Sequence, residues 1–295
     1  MDIASPGGTK RILHKHGFRQ KKSLGQHFLV DQGIVRRIVS GASLEPQDIV
    51  IEIGPGIGTL TRALADQAGQ VICIELDRSL LPVLEDTLKD YKNVHIVQGD
   101  ALKVDLDQLV EETFGNSRFP DGYKVVANLP YYITTPLVMH LLESGFNIKS
   151  LVLMMQQEVA RRMLAKPGSK EYGALTVAVQ FFTLPRLITL VSPAAFIPPP
   201  EVSSAVVLLE VLCRPPVDIP DRHLLFGIVK AAFGQRRKTL LNALAAGGLG
   251  PSKEQWETLL ARGTLDGLRR GETLSLEEYA ALCRELWKWK QEARP

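Results

Sequence analysis

The segment "DIVIEIGPGIGTLTRALADQA", residues 48–68, restricts the possible folds more than any other part of the chain. It begins with a short run of β-branched residues, passes through three closely spaced glycines and continues into a helical pattern over 59–68. A buried strand, a tight turn and a helix in this order start a strand–helix–strand unit. The segment therefore predicts an α/β fold whose first loop lets a ligand approach the backbone closely.

Further apolar runs extend this pattern along the chain. Predicted strands follow at 70–77, 93–100, 123–130 and 150–156. Helical patterns at 79–89 and 157–165 alternate with them, and this alternation predicts a parallel, doubly wound sheet. Two runs at 185–192 and 203–211 have no helix between them. We expect these two to form an antiparallel pair that closes one edge of the sheet.

The proline cluster "RPPVDIP" at 214–220 predicts a domain boundary, because proline interrupts regular structure. Beyond it only helices are predicted, over 221–247, 252–262 and 275–292. The predicted organisation is a basic flexible N-terminal arm (1–22), an α/β domain (23–213) and a small all-helical domain (214–295).

Charge and cysteine content limit the partners and the compartment. The first 40 residues carry eight basic and two acidic side chains, although the formal net charge of the whole chain is only +3. Such an arm favours a phosphate backbone as partner, and it is equally typical of a solvated tail. The three cysteines lie far apart, which argues against disulfides and structural zinc. Without an 18-residue apolar run or a signal core, we expect a cytoplasmic protein that does not enter membranes.

Polar groups that suit a nucleoside follow successive predicted strands. The loop "EIGPGIGTLT" (52–61) differs from the dinucleotide fingerprint and lacks the Lys-Ser/Thr of a P-loop. Glu75 ends the second strand and suits two ribose hydroxyls. Asp100 and the backbone N–H of Ala101 end the third strand and suit the adenine ring. Because nothing beyond the loop would bind a pyrophosphate, S-adenosylmethionine fits better than a nicotinamide dinucleotide. Methyl transfer from this cofactor requires no metal, and none is expected.

The stretch "VVANLPYYIT" (125–134) ends the fourth predicted strand at the same edge of the sheet. The side-chain oxygen of Asn128 and the carbonyl of Leu129 can accept the two N–H bonds of an adenine amine, and Pro130 would keep that turn rigid. Tyr131 can stack on the base, as aromatic residues do with flipped bases. In isolation such a motif is more typical of a structural turn. Its position beside the predicted nucleoside site favours amine chemistry.

Eight stretches together resemble the bacterial ribosomal RNA adenine dimethyltransferases, over roughly residues 18–290. They are "KKSLGQHFLVD", "EIGPGIGTLT", "VICIELD", "VQGDAL", "VVANLPYYIT", "LMMQQEVARRM", "FIPPPEVSSAVV" and "FGQRRKTLLNAL". The resemblance implies a Rossmann-like class I S-adenosylmethionine-dependent methyltransferase sheet. It also implies dimethylation of N6 of two adjacent adenosines near the 3′ end of 16S rRNA in a small-subunit (30S) precursor.

The motifs and the resemblance together give roles to individual residues. Candidate cofactor-binding residues are His27, Leu29, Gly54, Gly56, Glu75, Leu76, Asp100, Ala101 and Asn128. Candidate catalytic residues are Asn128, Leu129, Pro130, Tyr131 and Phe196. The family more often has asparagine where His27 stands, and both side chains can donate a hydrogen bond. Phe196 matches a second aromatic facing the base, and the three prolines after Ile197 suit an exposed presentation.

Basic residues in two stretches are candidates for contact with RNA phosphates. They are Lys21 and Lys22 in the N-terminal arm, and Lys230, Arg236, Arg237 and Lys238 in the helical domain. At helical spacing Lys230, Arg237 and Lys238 can share one face, which is also typical of a merely solvated helix.

The sequence leaves two other functions open. One is methylation of adenine in large-subunit rRNA or DNA. The other is a non-catalytic nucleic-acid-binding factor with a methyltransferase fold, which the intact Glu75, Asp100, Asn128 and Tyr131 disfavour. Nothing in the sequence demands a dimer, and we expect a monomer.

Overall fold

The computed structural model describes residues 3–21, 25–115, 122–235 and 237–292. The chain divides into two compact units. The sheet unit consists of Met1–Ala160 and Leu184–Val211, and the helical unit of Arg161–Thr183 and Leu212–Pro295. The segment 161–183 packs with the helical unit, although the sequence assigned it to the α/β domain. Its apolar side chains, among them Tyr172 and Phe181, belong to the helical core.

Seven strands form the central sheet of the sheet unit, in the order β4-β3-β2-β5-β6-β9-β7. Their bounds are β2 Ile49–Ile53, β3 Gln70–Glu75, β4 Val94–Gln98, β5 Tyr123–Asn128, β6 Ile148–Gln156, β7 Thr183–Val191 and β9 Ser204–Val211. Strands β4, β3, β2, β5 and β6 are parallel, and β9 pairs antiparallel with β6. The predicted α/β class is confirmed, and the two last apolar runs lie at one edge as expected.

The remaining elements of the sheet unit precede, connect or follow these strands. The helices are α1 Pro6–Lys15, α2 Gln32–Ala42, α3 Thr59–Ala65, α4 Leu81–Leu88, α5 Leu106–Phe114 and α6 Thr134–Glu143, and α7 Gln157–Met163 leaves the sheet at its end. Two short strands, β1 Phe28–Leu29 and β8 Phe196–Ile197, pair antiparallel outside the main sheet. Since β2, β3, β4 and β5 are parallel neighbours, their carboxyl ends meet at one edge.

The N-terminal segment differs from the flexible arm that the sequence predicted. Residues 6–15 form α1, which begins at the Ser5 N-cap with Pro6 in the first turn. Ile3 and Ile12 are buried in a cluster with Ile57 and Val83. The charge-rich composition suggested a solvated tail, whereas this small apolar face gives the helix a packing site.

The helical unit has its own apolar core around Trp256 and Tyr279. Its helices are α8 Ala174–Phe182, α9 Arg222–Gly234, α10 Leu240–Ala245, α11 Lys253–Arg262 and α12 Leu276–Glu292. The single helix predicted over 221–247 is wrong, because α9 ends at Gly234 and α10 begins at Leu240. Within the described residues, no helix is long and apolar enough to cross a membrane.

Candidate functional site

One cavity in the sheet unit is lined by every residue that the sequence proposed for the cofactor. It lies where β2, β3, β4 and β5 end, and Leu129, Pro130 and Tyr131 line it too. The parallel register explains this convergence, since residues 53, 75, 98 and 128 stand at neighbouring strand ends. The structure therefore brings the candidate cofactor-binding residues and the Leu129–Tyr131 turn into one cavity, although the sequence placed them on successive loops.

The glycine loop forms the floor of this cavity and depends on left-handed backbone conformations. Gly54 has a φ of 72° and Gly56 a φ of 62°, which other residues rarely adopt. A Cβ atom on Gly56 would also lie 3.3 Å from the Phe28 ring. At these two positions the loop therefore carries no side chain, and its backbone lines the cavity directly.

Glu75 is buried at the end of β3. Its Oε1 accepts a hydrogen bond from the backbone N–H of Asp77 at 2.8 Å, and its Oε2 accepts one from Gly56 at 3.3 Å. Burial raises the pKa of Glu75 to about 7, and these hydrogen bonds only partly offset it. A buried carboxylate is costly without partners, so hydroxyl donors from a bound ribose would stabilise its ionised form.

Asp100, Ala101 and Leu76 present a set of groups that suits an adenine ring. Asp100 Oδ1 accepts from the backbone N–H of Leu102 at 3.1 Å, and among the described residues the one partner of Oδ2 is Lys103 Nζ at 3.7 Å. The N–H of Ala101 has no acceptor among the residues the structure describes. Leu76 is 45% exposed although it is apolar. One acceptor, one donor and an apolar surface are therefore available together.

The Asn128 amide is fixed in one orientation. Its Nδ2 donates to the carbonyl oxygen of His27 at 3.1 Å. Within the described part of the chain, its Oδ1 accepts no hydrogen bond. This orientation leaves Oδ1, together with the second N–H of Nδ2, without a partner among the described residues.

The turn after Asn128 leaves a second acceptor. The backbone N–H of Leu129 donates to Met154 at 3.0 Å, and the Pro130 carbonyl accepts from Ile133 at 3.2 Å and from Thr134 Oγ1 at 3.1 Å. By contrast, the Leu129 carbonyl accepts no hydrogen bond from any described residue. Among the described residues, Asn128 Oδ1 and the Leu129 carbonyl are thus two open acceptors at this turn.

Tyr131 is half-buried, and contacts on two sides fix its position. Its hydroxyl lies 2.7 Å from Ser204 Oγ, and its ring stacks on His27 with centroids 5.7 Å apart. Burial raises the pKa of the Tyr131 phenol, so the hydroxyl stays neutral. Its neighbour Tyr132 is exposed.

His27 Nδ1 lies 2.8 Å from the carbonyl oxygen of Pro198. Because a carbonyl can only accept, Nδ1 carries a proton and donates it. The donor that the sequence expected at this position by analogy with asparagine is thus Nδ1, and it is already used within the protein.

Phe196 lies elsewhere than the sequence suggested. The sequence predicted an exposed ring facing the base, but Phe196 is 2% exposed and belongs to the core of the sheet unit. It pairs with Leu29 across the two short strands, and its ring meets His27 edge-on at 6.5 Å. This pairing explains its burial, so in the structure Phe196 supports the cavity wall behind His27.

Two buried residues of the cavity were missed. Thr59 Oγ1 is buried without a hydrogen-bond partner among the described residues, at the start of α3. Glu52 is buried in β2, and burial raises its pKa to about 7 despite hydrogen bonds with Thr61 and Cys73. Thr59 directly follows the glycine loop, a position that could have marked it. The sequence did not show that Glu52 lines the cavity. All residues of β2 are buried, so the strand has no alternation of buried and exposed positions to mark one face.

The candidate RNA-binding residues differ in their surroundings. Lys21 Nζ lies 2.7 Å from the buried Asp77 carboxylate, which already neutralises its charge. Lys22 and Arg236 lie outside the described residues. Lys230, Arg237 and Lys238 are exposed, but the shared helical face predicted for them is wrong, because α9 ends at Gly234. Arg237 instead lies in a shallow depression with Lys170 and Arg270.

Comparison with known protein families gives a match over most of the chain. Residues 17–282 match the family described as Ribosomal RNA adenine dimethylase. The chain is 52% identical to "Ribosomal RNA small subunit methyltransferase A" of Alkaliphilus metalliredigens, over 96% of this chain and 98% of that protein. It is also 52% identical to the protein of the same name from Moorella thermoacetica, with the same coverage.

Two solved structures are similar in fold and length. A dimethyladenosine transferase from Plasmodium falciparum has a TM-score of 0.74 and 27% identity, and the match covers 89% of this chain and 98% of that chain. The 23S rRNA methyltransferase ErmE has a TM-score of 0.67 and 26% identity, with coverages of 88% and 99%.

The Glu52 carboxyl makes the free energy of unfolding depend on pH. Its pKa is about 7 in the folded chain against 4.5 normally, so the folded state holds an extra proton between these values. The resulting stabilisation is complete below pH 4.5 and is lost as the pH rises through 7, by about 3 kcal/mol at most. Glu52→Gln stays neutral, so we expect it to remove this part of the pH dependence.

Chemical denaturation of the wild type and of Glu52→Gln between pH 4 and 8 measures the effect. Glu75 titrates in the same direction, so Glu75→Gln and the double variant serve as controls. Parallel stability curves for the wild type and Glu52→Gln would contradict the prediction.

Proposed function

Since the chain belongs to the ribosomal RNA adenine dimethylase family, we propose that it dimethylates N6 of two adjacent adenosines near the 3′ end of 16S rRNA. The two open acceptors of the turn after β5 carry this proposal. They lie in the same cavity as Glu75 and Asp100, which suit a nucleoside cofactor. A methyl acceptor and a methyl donor would therefore meet at one edge of the sheet.

The cavity fits S-adenosylmethionine, which supplies an electrophilic methyl group when bound. Glu75 would accept the ribose hydroxyls, while Asp100 and the Ala101 N–H would bind the adenine edge. Thr59 Oγ1, buried without a partner among the described residues, would find one in a polar group of the cofactor. The open polar atoms of the cavity thus have matching groups on this cofactor.

Asn128 and Leu129 would orient the amine of the target adenine. Its nitrogen is a poor nucleophile, because its lone pair is delocalised into the ring. Two N–H bonds held by Asn128 Oδ1 and the Leu129 carbonyl favour a pyramidal nitrogen with a directed lone pair. Catalysis by this arrangement comes from positioning and electrostatics. The extra N–H proton becomes acidic once the new C–N bond forms, so water can remove it.

Tyr131 would hold the base by stacking. Its hydroxyl is bound to Ser204 and one side of the ring stacks on His27, so the ring is fixed before a base arrives. A preordered aromatic side chain loses little further entropy on binding. The pocket must also admit N6-monomethyladenine for the second transfer.

Small-subunit rRNA is favoured over the other substrates. The relatives named for the small subunit are 52% identical to this chain, whereas ErmE, named for 23S rRNA, is 26% identical. We infer that the substrate is a 30S precursor and that the enzyme acts as a monomer. The intact acceptor pair and nucleoside site argue against a non-catalytic factor.

Methyl transfer with labelled S-adenosylmethionine tests the proposed function. Unmethylated 30S particles should yield N6,N6-dimethyladenosine near the 3′ end of 16S rRNA, whereas naked 23S rRNA and duplex DNA should yield none. Absence of the product on every substrate would refute the enzyme. Its appearance on 23S rRNA or DNA alone would refute the substrate assignment.

Replacing Asn128 tests the acceptor pair. Asn128→Ala removes Oδ1, and we expect the maximal transfer rate to fall by roughly 10²-fold or more, as for other preorganised groups. The control is Tyr132→Phe, which alters an exposed neighbour on the same turn and should transfer at nearly the normal rate. Near-normal transfer by Asn128→Ala, measured at saturating cofactor and particles, would rule out this role.

The exposed cations Arg237 and Lys238 are expected to contact RNA phosphates. Arg237→Glu with Lys238→Glu should weaken particle binding and lower the slope of log affinity against log salt by roughly two. Arg222 and Lys253, also exposed in the helical unit, provide the control pair Arg222→Glu with Lys253→Glu. Equal effects of both pairs would show a general charge effect instead of a contact.

A further inference from the structure

Asp77 is a buried carboxylate two residues beyond Glu75. Its side chain is 1% exposed. Oδ1 accepts from Lys21 Nζ at 2.7 Å and from the Ser79 hydroxyl at 2.6 Å, and Oδ2 accepts from Gln26 Nε2 at 2.9 Å. Although burial raises its pKa, these hydrogen bonds lower it to about 2. The carboxylate is therefore ionised throughout the neutral range.

The partners of Asp77 fall into two groups. Ser79 is local and belongs to the cap of the short 3₁₀ turn Arg78–Leu80. Lys21 and Gln26, in contrast, come from a segment more than fifty positions earlier. Gln26 uses both ends of its amide, because its Oε1 also accepts from the Lys21 backbone N–H at 3.1 Å. A turn cap needs only the local bonds, so the distant ones require another explanation.

These distant bonds join two parts of the cavity wall. Gln26 and His27 line the cavity from the N-terminal side, and Glu75 lines it from β3. The backbone N–H of Asp77 donates to Glu75 Oε1, while its carboxylate binds Gln26. One residue thus bonds both to the Glu75 carboxylate and to Gln26 in the N-terminal part of the cavity wall.

We propose that Asp77 is a positioning residue for cofactor binding, which holds the segment at Gln26 in place against β3. The inference rests on the proposed function and adds to it a residue that does not touch the cofactor. It also gives Lys21 a role within the protein in place of the predicted contact with RNA. The binding energy of the cofactor is then not spent on ordering this wall.

Calorimetric titration with S-adenosylmethionine and S-adenosylhomocysteine tests the role of Asp77. We expect Asp77→Asn to raise the Kd of both by about 10-fold, which corresponds to about 1.4 kcal/mol. The KM for S-adenosylmethionine should rise by a similar factor, while kcat at saturating cofactor stays within about 2-fold. A variant that loses kcat with an unchanged KM would overturn the proposal.

Two further variants separate positioning from folding. Gln26→Leu removes a distant partner and leaves the Ser79 cap intact, so it should weaken cofactor binding even if Asp77→Asn does not fold. The matched control is Asp86→Asn, since Asp86 also binds two N-terminal side chains, Lys15 and His16, but does not line the cavity. An unchanged Kd in Gln26→Leu, or an equal loss in Asp86→Asn, would overturn the specific role of Asp77.

These outcomes are separable from failure of the proposed function. Cofactor affinity is measured without RNA, so it reports on Asp77 even if the 30S particle is not the substrate. If wild-type protein methylates 30S particles and Asp77→Asn binds cofactor normally, only the role of Asp77 is refuted.

Discussion

The parallel pairing of β4, β3, β2 and β5 is the constraint on which the functional site depends. Parallel strands end at the same edge, so each strand end contributes one loop to the same cavity. The glycine loop, Glu75, Asp100 and Asn128 come from four such ends. None of these groups would meet in an antiparallel sheet with short hairpins. The proposed cofactor site is thus a direct product of the strand order.

The features that local pattern controls were predicted well. Each strand of the sheet was located within a few residues, because apolar runs bounded by glycine and polar residues identify buried strands. The convergence of Glu75, Asp100 and Asn128 followed from parallel topology alone. The N-terminal helix was missed, since its apolar face is confined to a few residues such as Ile3 and Ile12.

The features that depend on distant partners were not predicted. Phe196 is buried because it pairs with Leu29, and Lys21 is neutralised because Asp77 lies beside it in the fold. No spacing within either segment reveals these contacts. The prediction of a single helix over 221–247 was wrong for the same reason. After the break at Gly234, Leu240 begins a new helix, and its backbone N–H bonds to the distant carbonyl of Arg269.

One hydrogen bond connects the two halves of the proposed chemistry. Asn128 Nδ2 donates to the carbonyl of His27, so the same bond that anchors the N-terminal wall of the cavity also leaves Oδ1 unoccupied by any described residue. The neighbouring residue Gln26 is held by Asp77, whose backbone in turn supports Glu75. A displacement of this wall would therefore disturb both Glu75, the proposed ribose acceptor, and Asn128, the proposed acceptor of the target amine. In the proposed function, cofactor binding and amine orientation would be coupled through the backbone at residues 26 and 27.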